Sequence, residues 1–266
     1  MVLIIGLIIF ELILFLCYLP YATFYWPIFF LLLYFVLWYG FDDSETTGNK
    51  TWNTMRNWSI WATGINAVSY IFGDKKRIID PKSKRLMFVV IGNVTNMGLI
   101  SGFGCHGGIF KNLDIYYTLP KILFWVPLLR ECLMWTGAVA DDKDIILYLL
   151  NRGRSVCCSL NGMKANPNPL VIDEELFNFA KSEDIQLIPV EVTGEEKRYT
   201  ILHWKCQNIF LDLIGYPFPF CFGPKIFGDD PPPKLNLHVG VPMDTAIYKT
   251  CEEFSLVFFA QLYGCV

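Results

Sequence analysis

The chain has 266 residues, of which 53% are hydrophobic, 16% aromatic and only 18% charged, and its mean hydropathy is +0.38. That composition excludes a disordered, collagenous or coiled-coil protein, and no repeat or low-complexity tract interrupts it. Lys+Arg 22 against Asp+Glu 25 leaves a formal charge of −3, so the excess of positive charge that nucleic-acid binding needs is missing.

From Met1 to Phe41 the sole charged side chain is Glu11. Two apolar runs, Val2–Leu19 and Pro27–Tyr39, flank a short segment bounded by Pro20 and Pro27. A spanning helix needs about 20 apolar residues, so the first run approaches a span and the second is short. A secretory signal would show a basic start and a small-residue cleavage site, and neither is present. The pattern predicts a membrane helical hairpin over residues 1–41, which either crosses twice or enters and leaves through one leaflet. Tyr21, Phe24, Tyr25 and Trp26 between the runs, with Trp38 and Tyr39 at the end, suit headgroup depth. Lys50, Arg56, Lys75, Lys76 and Arg77 follow, so the positive-inside rule puts residues 42–266 on the cytosolic side. Glu11 reads as a snorkelling surface residue, with an intramembrane functional role as the alternative. The later runs Ile109–Met134 and Tyr199–Phe227 are broken by charged residues, Pro or Gly. They read as core or membrane-facing surface, with no third span.

Nine cysteines, an odd number without a C-x-x-C pair, suit a reducing compartment. Adjacent Cys157 and Cys158 cannot readily pair with each other. Neither a disulfide framework nor a metal site is expected. The sequons at Asn49, Asn57 and Asn93 are coincidental if the domain faces the cytosol.

Behind a polar linker at Asp42–Asn53, Trp58 and Trp61 stand three apart and share a helix face, either core or interfacial. Arg85–Gly92 is a continuous apolar run ending in glycine, the pattern of a strand buried on both faces. Asp141–Asn151 opens with acidic residues and stops before Gly153, as a capped helix does. Ser155–Leu160 reads as a strand, Asp173–Ser182 as a second capped helix, and Ile185–Val192 as another strand. Leu235–Val241 reads as a late strand and Thr245–Leu262 as a closing amphipathic helix. Pro231-Pro232-Pro233 marks a rigid loop. This alternation predicts an α/β fold with a mostly parallel, buried sheet flanked by helices.

In order along the chain, these signatures resemble the type-2 diacylglycerol acyltransferases, which include monoacylglycerol and wax-alcohol acyltransferases of the endoplasmic reticulum. Phe41-Asp42 and Arg56-Asn57-Trp58 with Trp61 are similar to that family's F-D and R-N-W-x-x-W. Pro127-Leu128-Leu129-Arg130-Glu131-Cys132-Leu133-Met134 resembles P-V-L-R-E-Y-L-M, followed by Gly137, Asp144 and Tyr148-Leu149-Leu150. Ile188-Pro189-Val190, Gly194-Glu195, Ile214-Gly215-Tyr216 and Val239-Gly240-Val241-Pro242 are similar to V-P-I, F-G-E, I-G-F and V-G-E-P. The resemblance runs nearly end to end and rests on this collinear order.

It implies a glycerolipid acyltransferase-like fold and acyl-CoA-dependent O-acyl transfer in di- or triacylglycerol or wax-ester synthesis at the endoplasmic reticulum membrane. It also implies acyl-CoA as co-substrate, no resident cofactor, membrane lipid as partner, an acylglycerol or alcohol acceptor, and homo- or hetero-oligomers with family members. The family places H-P-H-G after its first sheet strand, its histidine taking the proton of the acceptor hydroxyl. Here Gly92-Asn93-Val94-Thr95 occupies that place, and none of the four is a base. His106, in Phe103-Gly104-Cys105-His106-Gly107, locally resembles the family's F-G-Y-H and is the one catalytic candidate the resemblance offers. His203 and His238 have no motif support. A Gly-Gly stretch ending in glutamate is replaced by Ser159-Leu160-Asn161-Gly162-Met163-Lys164, and the acid of V-G-E-P by Val241. Arg130 and Glu131 either clamp a phosphate of coenzyme A or form a salt-bridged helix start. Three readings stay open: an active acyltransferase, an inactive relative that binds lipid or regulates an active one, and a membrane-anchored structural protein of unrelated fold.

Overall fold

The computed structural model describes residue 18 and residues 25–36, 43–48, 68–72, 85–91, 113–126, 129–159, 172–198, 200–202, 220–222 and 235–263. The chain divides into two compact units, Met1–Asp43 and Ser44–Val266. In the first unit residues 25–36 are helical, and Tyr25, Trp26, Phe30, Leu32 and Val36 are exposed. Trp26 stacks on Phe30 with ring centroids 5.6 Å apart, one helical turn along. Among the described residues no helix is long and apolar enough to cross a membrane. Most of the hairpin expected over residues 1–41 lies outside them.

The second unit is built on an eight-stranded mixed sheet in the order β1-β9-β6-β2-β5-β3-β4, with β10 paired to β6. The strands are β1 Val68–Phe72, β2 Arg85–Ile91, β3 Ile115–Leu119, β4 Ala138–Ala140, β5 Ser155–Ser159, β6 Ile185–Thr193, β9 Leu235–Val239 and β10 Met243–Asp244. A separate pair joins β7 Thr200–Leu202 to β8 Phe220–Phe222. Strands β6, β2, β5, β3 and β4 run parallel to their neighbours. On the other side β9 and β10 pair antiparallel to β6, and β1 is parallel to β9.

β2 sits at the centre because its apolar residues can serve two cores at once. Leu86, Phe88 and Val90 face one core with Tyr117, Cys157, Ile188 and Leu237. Met87, Val89 and Ile91 face the other, with Val156, Leu187 and aromatic side chains of the covering helices. Period-two alternation across a strand produces this division. The second core is covered by helices Lys143–Asn151, Glu174–Ser182 and Cys251–Tyr263, which contribute Leu149, Phe177, Phe254 and Phe258.

The two capped helices begin where their acidic residues place them. The Asp142 carboxylate accepts from the Asp144 N–H at 3.0 Å and Asp173 from Glu175 at 3.2 Å, satisfying backbone donors that a helix start leaves open. The expected closing helix is divided. Asp244 caps a 3₁₀ turn over Thr245–Ile247, Tyr248 is extended, and the helix starts at Cys251. Thr250 Oγ1 accepts from the Glu253 N–H while the Glu253 carboxylate accepts from the Lys249 N–H, so a second cap restarts the chain.

Pro189 lies inside β6, where a proline is normally excluded for want of an N–H. Its carbonyl accepts from the Gly240 N–H at 2.8 Å, which puts its nitrogen on the side of the sheet where β9 has ended and β10 has not begun. The missing donor therefore falls in a gap between partners. A Cβ on Gly240 would stand 2.6 Å from Pro189 Cγ, so the crossing requires glycine.

Candidate functional site

Parallel strands gather their carboxyl ends along one edge of a sheet, and ligands of such folds bind where the strand order reverses. The reversal here is at β2. After β2 the chain builds β3, β4 and β5 on one side and then β6 on the other. The last residue of β2, Ile91, is the register partner of Glu191 in β6, and Glu191 is in turn the partner of His238 in β9. One rung further along, Thr193 stands opposite Asn236.

Directly opposed residues on neighbouring strands point to the same face, with Cβ atoms about 5 Å apart in an antiparallel pair. On this face β6 presents Ile185, Leu187 and Pro189, all buried, and then Glu191 and Thr193, both half-buried. β9 presents half-buried Asn236 and His238, while its alternate residues Leu235, Leu237 and Val239 are buried on the opposite face. An apolar stripe thus gives way to four polar side chains at the carboxyl edge of the reversal point. Glu195, two residues beyond β6 and after Gly194 at φ +96°, is buried at the same edge.

Arg130 and Glu131 lie elsewhere. They open helix Leu129–Trp135, which packs with segment Ser44–Thr47 against β4, the outermost strand on the far side. Four strand steps separate β6 from β4, about 19 Å. The Arg130 side chain is 0% exposed. Its Nε donates to Glu45 Oε2 at 3.0 Å, its Nη2 pairs with the same oxygen, and its Nη1 stands 3.4 Å from Glu131 Oε1. Two carboxylates compensate one buried guanidinium, as a buried cation requires. The geometry is that of a salt-bridged helix start. Glu45 is the partner that sequence reading missed, since 85 residues separate it from Arg130 and no local spacing connects them.

Nearby, the hydroxyl of Tyr116 donates to the Gly48 carbonyl at 3.2 Å, and Arg154 Nη1 donates to the Thr47 carbonyl at 2.7 Å. These bonds tie residues 45–48 to the sheet. Gly48 has φ +61°, and a Cβ there would come within 2.7 Å of the Tyr116 ring.

Burial pushes the thiols of Cys157 and Cys158 well above their ordinary value. Neither is a thiolate nucleophile at neutral pH. The Asp141 carboxyl, just beyond β4, is held above its ordinary value by desolvation and then by the charge of Asp142. Among the described residues no group of three or more His, Cys, Asp or Glu side chains is arranged to hold a metal ion.

The motif place Gly92, Asn93, Val94 and Thr95 begins one residue after β2, and these four lie outside the described residues, as do His106, His203 and the segment Leu160–Lys164. No motif singles out Glu191 or His238 in the sequence. Their signal was the alternation Leu235-Asn236-Leu237-His238-Val239, a half-buried strand with an imidazole on its polar side.

Residues 18–166 match the family described as diacylglycerol acyltransferase. The chain is 24% identical over 226 residues to mouse (Mus musculus) 2-acylglycerol O-acyltransferase 1, covering 76% of this chain and 66% of that protein. It is 24% identical over 226 residues to diacylglycerol O-acyltransferase 2B of Umbelopsis ramanniana, covering 76% of this chain and 63% of that protein. The matches thus span about two thirds of these relatives' length. The crystal structure of the 1-acyl-sn-glycerophosphate acyltransferase from Thermotoga maritima superposes with a TM-score of 0.48 at 14% identity, over 94% of this chain and 93% of that one.

Proposed function

This chain belongs to the diacylglycerol acyltransferase family, and on that premise we propose that it transfers a fatty acyl group from acyl-CoA to a lipid hydroxyl. The acceptor is a mono- or diacylglycerol or a long-chain alcohol, and the product a neutral lipid. The observation that carries this reading is the family match over residues 18–166, which spans β2, the strand after which that family carries its base.

The chemistry is a single displacement at a thioester carbonyl. A neutral hydroxyl attacks poorly unless its proton is accepted as the new C–O bond forms. The C–S bond then breaks, and coenzyme A leaves as a thiolate that takes up a proton. Both substrates partition with lipid, so the reaction belongs at a membrane surface. In this reading an N-terminal hairpin sits in the endoplasmic reticulum membrane with residues 42–266 on its cytosolic side, as the family resemblance and the basic residues after Phe41 imply, and the exposed apolar side chains of residues 25–36 support its contact with lipid.

The competing reading is an inactive family member that binds neutral lipid or pairs with an active acyltransferase. It is favoured by Gly92-Asn93-Val94-Thr95, where no side chain can take a proton. The deciding experiment incubates the purified full chain in phosphatidylcholine vesicles with radiolabelled oleoyl-CoA and, in turn, monoacylglycerol, diacylglycerol and hexadecanol. Acceptor-dependent ester is the expected result. No ester with any acceptor, together with co-purification of an active family member, would establish the competing reading instead.

A further inference from the structure

The acyl transfer proposed above needs a proton acceptor beside the end of β2, and the family's position for it holds none. We infer that His238 is that base and that Glu191 is the residue positioning it. The inference rests on the acyltransferase reading and adds the group that reading lacks.

Three observations converge on the pair. Glu191 and His238 are directly opposed across the antiparallel β6–β9 ladder, on one face of the sheet. No hydrogen bond joins the two side chains in the structure; at a Cβ separation of about 5 Å, rotation about side-chain bonds alone would bring a glutamate carboxylate and an imidazole nitrogen to hydrogen-bonding distance. Both are half-buried, so the pair stays open to a substrate while water around it is limited.

The second observation is position. Glu191 neighbours Ile91 directly, and His238 lies one strand further. At about 4.8 Å per strand, His238 stands about 10 Å from the residue that precedes the missing motif. The third is composition. Ile185, Leu187 and Pro189 complete the buried part of this stripe, and the stripe then turns polar at the reversal point, with Thr193 and Asn236 forming the next rung.

The roles follow from the chemistry of the groups. A neutral imidazole accepts the proton of the acceptor hydroxyl as oxygen bonds to the acyl carbon. The carboxylate of Glu191 holds the ring in place and stabilises the imidazolium that forms. When the C–S bond breaks, the imidazolium returns its proton to the departing thiolate, and the ring is neutral again. The products are an ester and free coenzyme A, and no other reactant is consumed.

The test uses the full chain in phosphatidylcholine vesicles with oleoyl-CoA and the acceptor that the wild type esterifies best. His238→Ala is expected to lower kcat by about 100-fold or more, with KM for oleoyl-CoA within about threefold of wild type. Added imidazole restores part of that loss, which a merely structural role for His238 would not allow. Glu191→Gln lowers kcat by about tenfold at unchanged KM, and Glu191→Asp recovers much of it. Thermal melts accompany each variant, and if His238→Ala fails to fold, the Glu191 pair of variants decides. Rates within twofold of wild type for folded His238→Ala, or for Glu191→Gln where His238→Ala does not fold, overturn the inference and leave the acyltransferase reading standing. A wild type that makes no ester with any acceptor overturns both.

Discussion

Two polar constellations among the described residues are built on opposite terms. At the β4 edge, Arg130 is sealed from solvent and compensated by Glu45 and Glu131. At the β6–β9 ladder, Glu191 and His238 are half-buried and stand at the carboxyl edge where the strand order reverses. The sealed cluster fixes a chain segment distant in sequence against the sheet. The half-open one leaves side chains available to a ligand. Burial with a paired counter-charge marks structure, and polarity placed where packing would favour grease marks a site.

Substitutions sharpen that contrast, beginning with the largest effect. Arg130→Ala strands Glu45 and Glu131 without their counter-charge, so it should cost about 3–5 kcal/mol and lower Tm by roughly 10 °C or more in a thermal melt. A melt within 2–3 °C of wild type, about the shift of a single kcal/mol, would show that the sealed cluster contributes little. Gly240→Ala drives a Cβ to 2.6 Å from Pro189 Cγ and 3.1 Å from Gln261 Oε1, where a rigid ring and a hydrogen-bonded amide leave little room. It should destabilise by about 1–3 kcal/mol, read by chemical denaturation.

His238→Val should change stability by no more than about 0.5 kcal/mol, because a β-branched residue suits a half-buried strand position, while ester formation is lost. A large loss of stability would move His238 to the structural side of the comparison.

The smallest effect is a pH-dependent one at Asp141. Its folded carboxyl titrates above its ordinary value of 3.8, so the folded chain holds that proton more tightly than the unfolded chain does. Stability from this group therefore falls as pH rises through the window between the two values. Asp141→Asn should melt slightly higher than wild type at pH 7, and the gain should vanish near pH 3.5. An equal gain at both values would refute that cause.

Much of the fold was legible in the sequence, while both constellations were hidden for definable reasons. Runs such as Arg85–Ile91 and caps such as Asp142 and Asp173 act through neighbours on the chain, so their elements were placed within a residue or two. The division of the last helix was missed because its apolar residues run on past Tyr248, and only the Thr250–Glu253 cap tells the restart. β3 and β4 lay within or beside an apolar stretch whose period did not distinguish strand from helix. The Glu45–Arg130 pair and the Glu191–His238 opposition depend on which strands become neighbours, and strand order is a property of the whole chain. His238 was visible as a residue without a motif. Only the register sets a carboxylate opposite it and places it two strands from β2.

The most direct measurement is photo-crosslinking with an acyl-CoA carrying a diazirine at the acyl carbon next to the thioester, followed by mass spectrometry of the labelled peptides. The account predicts label on residues near the carboxyl ends of β2 and β6 and the start of β9, within 89–95, 189–195 and 236–242. Label confined to the Arg130 region, 121–135, with none at the β6–β9 ladder, would contradict it.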